Sequence, residues 1–157
     1  MITDIFPLDT IDMLLKLVAA LFLGMSLGVE RAIAGKTAGM RTYGLVTMGS
    51  ALFVIVSISA AGGLASTEAI RESLRFSGQI LPGIGFIGAG LIIFRGSKVS
   101  GITTAAGIWV SAGVGVSVGY GLYTVAVATT IMVLIIFTGF WYVENKVKSL
   151  AHLSQED

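Results

Sequence analysis

Two small groups of polar residues are the parts of this chain whose chemistry could support a function. In the first group, Glu30 is followed directly by Arg31, and Arg41 and Thr42 come eleven residues later. A Mg²⁺ site needs only one or two carboxylates, completed by carbonyl groups and water, so Glu30 is a weak candidate for a metal ligand. The alternative, which we favour, is a Glu-Arg network that fixes the turn between two helices.

The second group surrounds a glycine-rich stretch. Gln79 precedes Pro82 and Gly83, and Thr103 and Thr104 follow later in the chain. Proline inside a helix removes a backbone donor and tends to kink it. If the helix breaks near Pro82, carbonyl groups close to Gln79 and the two threonine hydroxyls would face a small cavity, with Gln79 as a coordinating or gating group. The alternative is that Gln79 only hydrogen-bonds a neighbouring helix.

Two short motifs resemble those of enzymes but lack the surroundings that an enzyme requires. The G-x-S-x-G pattern centred on Ser26 has no base, since the one histidine, His152, lies in a polar tail. The G-x-G-x-x-G pattern that begins at Gly83 lies in an apolar segment, and not between a strand and a helix. With no cysteine, the chain also has no thiolate metal site. We expect no catalytic residue, no cofactor and no enzymatic activity.

Composition places the chain in the membrane. It is 55% hydrophobic with a mean hydropathy of +0.92, and 12% of its residues are charged, against about 25% in soluble domains. The formal net charge of +1 gives no sign of a nucleic-acid partner. The lipid bilayer is therefore the first partner that we expect.

The charge-free runs predict an all-α polytopic membrane protein with about five transmembrane helices. A run of 45 residues, 99–143, is too long for one crossing of a core about 30 Å thick, and we place its turn at Gly119-Tyr120-Gly121. Lys16 lies inside the first helix, four residues after Asp12, in the order that favours an ion pair. The predicted helices lie near residues 12–30, 42–63, 76–94, 103–119 and 122–142, within a domain 1–143 that a tail 144–157 follows.

Lysine and arginine predict the orientation. Seven of them fall in the first loop, the third loop and the tail, and three, Lys16, Arg71 and Arg75, fall on the other side. By the positive-inside rule the amino terminus is outside and the carboxyl terminus is in the cytoplasm.

Glycines are placed for close contact between helices. Pairs with G-x-x-x-G spacing could serve packing within one chain or association between copies, and we expect a homo-oligomer, with a dimer favoured. The glycines to which we assign packing or a transport pathway are Gly24, Gly28, Gly83, Gly85, Gly88, Gly90, Gly115 and Gly119.

Four motifs in one order carry a resemblance to a known family. They are Gly28-Val-Glu30-Arg31, Ala38-Gly39-Met40-Arg41-Thr42, the run from Gly83 to Gly90, and Gly101-Ile-Thr103-Thr104-Ala105-Ala106 with Trp109. Together they closely resemble the signatures of the MgtC/SapB family. Arg75 and Gln79 match the pattern of that family as well.

The resemblance implies a bacterial inner-membrane protein with about five helices and an outside amino terminus. Members are linked to growth in low magnesium, to virulence through intracellular survival, and to restraint of the ATP synthase with effects on membrane potential. This implies a regulator that acts by helix contact with membrane partners such as ATP synthase. The alternative is a small Mg²⁺ or H⁺ transporter or channel with its pathway at the glycine-rich third helix.

Two departures from the family pattern limit what carries over. Virulence-associated members have a soluble carboxyl-terminal domain resembling the ACT fold, and this chain reaches Asp157 without one. Any regulatory function of that domain is expected to be absent or supplied by another protein. Pro82 stands where the family more often has a small polar residue. On the resemblance, Glu30, Arg31, Arg41, Thr42, Gln79, Thr103, Thr104 and Trp109 are the functional candidates.

Overall fold

The computed structural model describes residues 8–153, which form six helices and one short hairpin. The helices are α1 Leu8–Ile33, α2 Met40–Ala60, α3 Thr67–Ser77, α4 Ile80–Gly90, α5 Ile102–Gly119 and α6 Tyr123–Leu153. Between α4 and α5, strands β1 Ile93–Arg95 and β2 Lys98–Ser100 pair antiparallel, with Arg95 opposite Lys98. The fold is therefore all-α except for this hairpin.

Four helices in the described part of the chain are long and apolar enough to cross a membrane. Their spanning segments are Thr10–Ile33, Met40–Ala60, Ile102–Gly119 and Tyr123–Phe140. Lipid offers no hydrogen bonds to an exposed backbone, so helices are the form in which such segments cross. The structure is that of an all-α polytopic membrane protein.

The third predicted helix, 76–94, is wrong as a single element. The chain breaks at Gly78-Gln79 and continues as α4, which has 11 residues and at 1.5 Å per residue is about 16 Å long. Pro82 does not kink this helix. It is the third residue of α4, in the first turn, where backbone N–H groups have no partner within the helix and the missing donor costs nothing.

Polar sequence explains why α3 is separate from α4. Helix α3 begins at the N-cap Ser66, whose hydroxyl accepts a hydrogen bond from the Ala69 N–H at 3.1 Å. The ion pair of Arg75 with Glu72, 3.5 Å, lies on its exposed surface. These charges keep α3 out of the hydrocarbon core.

Helix α4 nevertheless connects the two ends of α5. Just before it, Ser77 lies 2.7 Å from the Tyr120 hydroxyl at the end of α5, and Gly88 lies against Ala105 near the start of α5. The break at Gly78-Gln79 and the short helix α4 therefore lead the chain along α5, from its carboxyl end to its amino end.

The remaining boundaries lie close to the predicted ones, except at the carboxyl end. Helix α5 ends at Gly119, and the turn at Tyr120-Gly121 includes a glycine with φ of 78°. Helix α6 runs to Leu153, eleven residues beyond the predicted end at 142, so most of the predicted tail is helical and residues 154–157 lie outside the described part. The expected ion pair of Asp12 and Lys16 is present at 2.9 Å.

Glycines bring α1, α2 and α5 into close contact. A Cβ atom added to Gly24 of α1 would lie 2.8 Å from Thr47 Cβ of α2. On α5, an added Cβ at Gly115 would lie 2.9 Å from Ser50 Cβ of α2, and one at Gly119 would lie 2.6 Å from Val54 Cβ. Helices that approach this closely gain dispersion contacts, which replace the hydrophobic effect in lipid. The core of the bundle lies along α2.

Candidate functional site

The site is centred on the ion pair between Glu30 and Arg31, at the carboxyl end of α1. Arg31 Nε donates a hydrogen bond to a Glu30 carboxylate oxygen. The Arg31 guanidinium also lies over the Phe137 ring of α6, with Cζ 3.6 Å from the ring centre. Arg31 is 4% exposed, so a desolvated cation is held by one carboxylate and one aromatic face.

Two cavities lie on either side of this pair. The first, between α1 and α6, has a volume of about 840 Å³ and is lined by Glu30 and Thr138. The second, with a volume of about 530 Å³, is lined by Arg31, Lys36, Thr103 and Thr104; we call it the Arg31 cavity. Phe137 borders both cavities. The carboxylate and the guanidinium of one ion pair therefore face different spaces.

Tyr43 anchors the start of α5 beside Arg31. It is fully buried, and its hydroxyl donates a hydrogen bond to the Thr104 carbonyl at 3.3 Å. Gly107 gives this ring its space, because an added Cβ at Gly107 would lie 2.6 Å from Phe137 Cζ and closer still to the Tyr43 hydroxyl. Neither Tyr43 nor Gly107 was among the residues that the sequence singled out, because the contacts of both residues are between helices and depend on the tertiary packing.

A third space is an apolar groove between α2 and α4, with a volume of about 570 Å³; we call it the α4 groove. Gln79 and Gly83 line it on one side, and Gly49 and Ser50 line it on the other. Ser50 is 2% exposed, and its hydroxyl oxygen is the one side-chain polar atom in the described part of the chain that is itself fully enclosed and has no hydrogen-bond partner.

The structure separates Gln79 from the two threonines that the sequence placed with it. Gln79 lines the α4 groove, whereas Thr103 and Thr104 line the Arg31 cavity. The expected single cavity is therefore not formed. The reason is that the break at Gly78-Gln79 lies beside the carboxyl end of α5, where Ser77 meets Tyr120. Thr103 and Thr104 lie at the amino end of α5.

The other candidate residues do not join the Glu30–Arg31 pair. Arg41 is exposed and Thr42 is partly exposed, and neither lines any of the three cavities. Trp109 is 51% exposed on α5. Thus Glu30 and Arg31 form the ion pair at the turn, without Arg41.

Five of the eight glycines that the sequence singled out already have partners within the chain. Gly28 packs on Met40 of α2, and Gly88 packs on Ala105, as Gly24, Gly115 and Gly119 pack on α2. Gly83, Gly85 and Gly90 differ, because an added Cβ at each would have no atom within 4 Å. The three open glycines of this set are all on α4.

A chain of hydroxyl groups, which the sequence did not reveal, ties the opposite end of the bundle together. The Tyr120 hydroxyl lies 3.2 Å from Ser73 Oγ and 2.7 Å from Ser77 Oγ, and Ser73 Oγ lies 2.9 Å from Ser57 Oγ. This chain joins α2, α3 and the end of α5. The i, i+4 spacing of Ser73 and Ser77 on an otherwise charged helix was the one available signal.

Neither enzyme-like motif forms a site. The Ser26 hydroxyl donates to the Leu23 carbonyl at 2.7 Å in its own helix, and the run from Gly83 to Gly88 lies inside α4. Among the described residues, no group of three or more His, Cys, Asp or Glu side chains is placed to hold a metal ion.

This chain is similar to one known protein family and to several named proteins. The profile of the MgtC family matches residues 17–146. Protein SrpB of Synechococcus elongatus is 41% identical over 140 residues, which cover 84% of this chain and 76% of SrpB. Protein SapB of Bacillus subtilis is 39% identical over 126 residues, 79% of this chain and 54% of SapB.

Protein MgtC of Salmonella typhimurium is 40% identical over 121 residues, which cover 77% of this chain and 49% of MgtC. The matched region thus spans about half the length of SapB and MgtC. No solved structure gave a significant match. The match over residues 17–146 and identities near 40% over most of the sequence establish that the chain belongs to the MgtC family.

Proposed function

We propose that this protein is a multi-pass protein of the bacterial inner membrane, with its amino terminus outside, that regulates other membrane proteins by helix contact. It has no enzymatic activity and needs no cofactor. Its role is in adaptation to low magnesium or to stress, and ATP synthase is the proposed partner, with membrane potential as the quantity affected. Membership of the MgtC family supports the general class of this proposal.

The observation that carries helix contact is that three glycines of α4 are open, one of which, Gly83, lines the α4 groove. Gly24 and Gly28 of α1 and Gly115 and Gly119 of α5 meet α2 within the chain, but Gly83, Gly85 and Gly90 have open space where a side chain would be. Glycines in membrane helices permit close approach of another backbone. Open glycines therefore support contact with a helix from outside this chain.

Polar groups in the α4 groove favour a protein helix over a lipid chain as its occupant. The Gln79 side chain is exposed and lines the groove, and within residues 8–153 its amide has no hydrogen-bond partner. A polar group placed in an apolar environment without a hydrogen bond costs about 1 to 3 kcal/mol. An acyl chain cannot supply that bond, whereas a partner helix with a polar side chain can.

We also propose that the protein associates with further copies of itself, with a dimer favoured. Its interface is not the pair Gly24 and Gly28, because both glycines already pack on α2. A bulky residue at Gly24 is now expected to unfold the chain, and not merely to dissociate a dimer.

The functional test uses inverted membrane vesicles that contain ATP synthase and measures ATP-driven proton pumping. We expect wild-type protein to lower pumping and Gly83→Leu, which fills the α4 groove, to lose that effect. The matched control is Gly113→Leu, because Gly113 also has open space but lies on α5. Pumping that is unchanged by wild-type protein, or lowered equally by Gly83→Leu, would overturn the proposal.

The alternative function is a small Mg²⁺ or H⁺ transporter or channel, and the α4 groove supports it as well. Gln79 and Ser50 are polar groups in this apolar space, as a membrane pathway requires. The test is flux of magnesium and of protons in sealed liposomes that contain folded protein. Flux that disappears in Gln79→Leu would establish transport, and no flux in the wild type would exclude it.

A further inference from the structure

The Arg31 cavity combines two cations with hydrogen-bond donors that lack protein partners. Within residues 8–153, Glu30 is the one hydrogen-bond acceptor of the Arg31 guanidinium, and it bonds Nε. The Nη atoms are therefore free of protein acceptors in a residue that is 4% exposed. Lys36 lies on the same cavity wall and is exposed. Its ammonium group can therefore turn toward the cavity without loss of a partner.

Thr104 is the observation that indicates a ligand. It is 4% exposed and lines the cavity, yet within residues 8–153 its hydroxyl has no hydrogen-bond partner. Threonine in a helix usually bonds a carbonyl of the preceding turn, as Thr47 and Thr130 do here. Thr104 lies in the first turn of α5, where that bond is not made.

The amino terminus of α5 adds backbone donors to the same wall. Gly101 enters the helix with φ of 92°, and no side chain caps the helix. The N–H groups of the first turn therefore have no partner within the helix, and the helix dipole places partial positive charge there. Gly101 is required at this entry, because an added Cβ would lie 2.9 Å from the Leu91 carbonyl carbon and closer to its oxygen.

We propose that the Arg31 cavity binds a phosphate group. A guanidinium, an ammonium, a hydroxyl and the free N–H groups of a helix all donate to an oxyanion, and a tetrahedral phosphate accepts from several directions at once. The Glu30 carboxylate does not line the Arg31 cavity, because Glu30 lines the other cavity. This proposal does not depend on the α4 groove, which shares no lining residue with the Arg31 cavity.

The same cavity has an apolar rim that fits a phosphate attached to an acyl chain. Ile102, Ile136 and Phe140 line it and are 58%, 49% and 61% exposed. A phospholipid headgroup and a soluble phosphate present the same oxyanion to the donors. The test is therefore built with one arm for each source.

The experiment measures the thermal unfolding midpoint of the purified full chain in dodecyl maltoside micelles, which contain no phosphate. One arm titrates inorganic phosphate against chloride at matched ionic strength. The other titrates dioctanoyl phosphatidylglycerol against dioctanoylglycerol, which has the same acyl chains and no phosphate. We expect a saturable rise of the midpoint in at least one phosphate arm and none with the matched ligand.

Two variants and two controls assign the effect to the cavity. Thr104→Val and Lys36→Gln are expected to weaken the apparent affinity about tenfold each, while both proteins fold. Thr130→Val is matched to Thr104→Val, since Thr130 is also 4% exposed but lies outside the cavity. Lys98→Gln makes the same charge change on the hairpin. Both controls are expected to stay within twofold of the wild type.

The two arms give different outcomes for the two sources. Stabilisation by phosphatidylglycerol alone identifies a lipid headgroup, and stabilisation by inorganic phosphate identifies a soluble ligand. No saturable response in either arm would overturn the proposal. So would affinities of the Thr104→Val and Lys36→Gln variants that equal those of the wild type.

Discussion

The Tyr43 hydroxyl donates a hydrogen bond to the Thr104 carbonyl, 3.3 Å away, across the interface between α2 and α5. These residues are 61 positions apart in sequence, and the bond fixes the turn of α5 that carries the unpartnered Thr104 hydroxyl. Tyr43→Phe should therefore lower the free energy of unfolding by about 1 kcal/mol. Unfolding in mixed micelles measures this, with Tyr123→Phe, at a 45% exposed site, as the control. Equal stability of wild type and Tyr43→Phe would show that the bond contributes nothing.

Alanine at Gly24 is expected to destabilise the bundle, because its Cβ would lie 2.6 Å from the Tyr43 carbonyl oxygen. Overpacking of this kind costs about 1 to 3 kcal/mol. Gly113→Ala is the control, since an added Cβ at Gly113 has open space, and alanine favours a helix by up to about 1 kcal/mol over glycine. The same unfolding assay compares the two, and a stable Gly24→Ala would refute the close contact of α1 and α2.

Glu30→Gln removes the carboxylate that pairs with Arg31 and leaves a buried cation uncompensated. We expect a loss of about 3 to 5 kcal/mol in the free energy of unfolding. The double variant Glu30→Gln with Arg31→Gln should lose less than the sum of the two single variants, because the unpaired charge is gone. A double-mutant cycle measures this coupling, and additive losses would mean that the pair is not coupled.

Tyr120→Phe breaks the hydrogen bonds of Tyr120 to Ser73 and Ser77 and should loosen α3 from the end of α5. Each bond contributes about 1 kcal/mol. Hydrogen exchange of α3 amides should therefore speed up, while exchange in α1 stays unchanged. Tyr142→Phe, at a 65% exposed site, serves as the control. Unchanged exchange in α3 would show that this hydroxyl chain does not hold the helix.

The parts that depend on local sequence were predictable. The Asp12–Lys16 pair follows from i, i+4 spacing, and the turn after Gly119 follows from a run too long to cross once. The break at Gly78-Gln79 was missed because a charge-free run says where the chain is apolar but not where its helix is continuous. Arg31 over Phe137 was also missed, because partners 106 residues apart meet only through the packing of α1 on α6.

The candidate site was predictable in its residue types but not in its grouping. Thr104 and Gln79 were both singled out, yet they line different cavities. The structure was also needed to show which glycines are free for a partner. Both Gly28 and Gly83 lie in apolar segments, but Gly28 packs on Met40 and Gly83 has open space. The glycine content indicates that helices can pack closely, but only the fold shows which glycines lie at a helix contact.

Disulfide crosslinking in native membranes tests whether α4 contacts a helix of a partner protein. The chain has no cysteine, so Gly83→Cys introduces a single thiol in the α4 groove, and Gly113→Cys on α5 is the matched control. With single cysteines placed in the membrane subunits of ATP synthase, we expect an adduct with Gly83→Cys and none with Gly113→Cys. A product that links only two copies of this chain would indicate that the groove is a dimer interface. No adduct at Gly83→Cys would contradict contact of α4 with a partner helix.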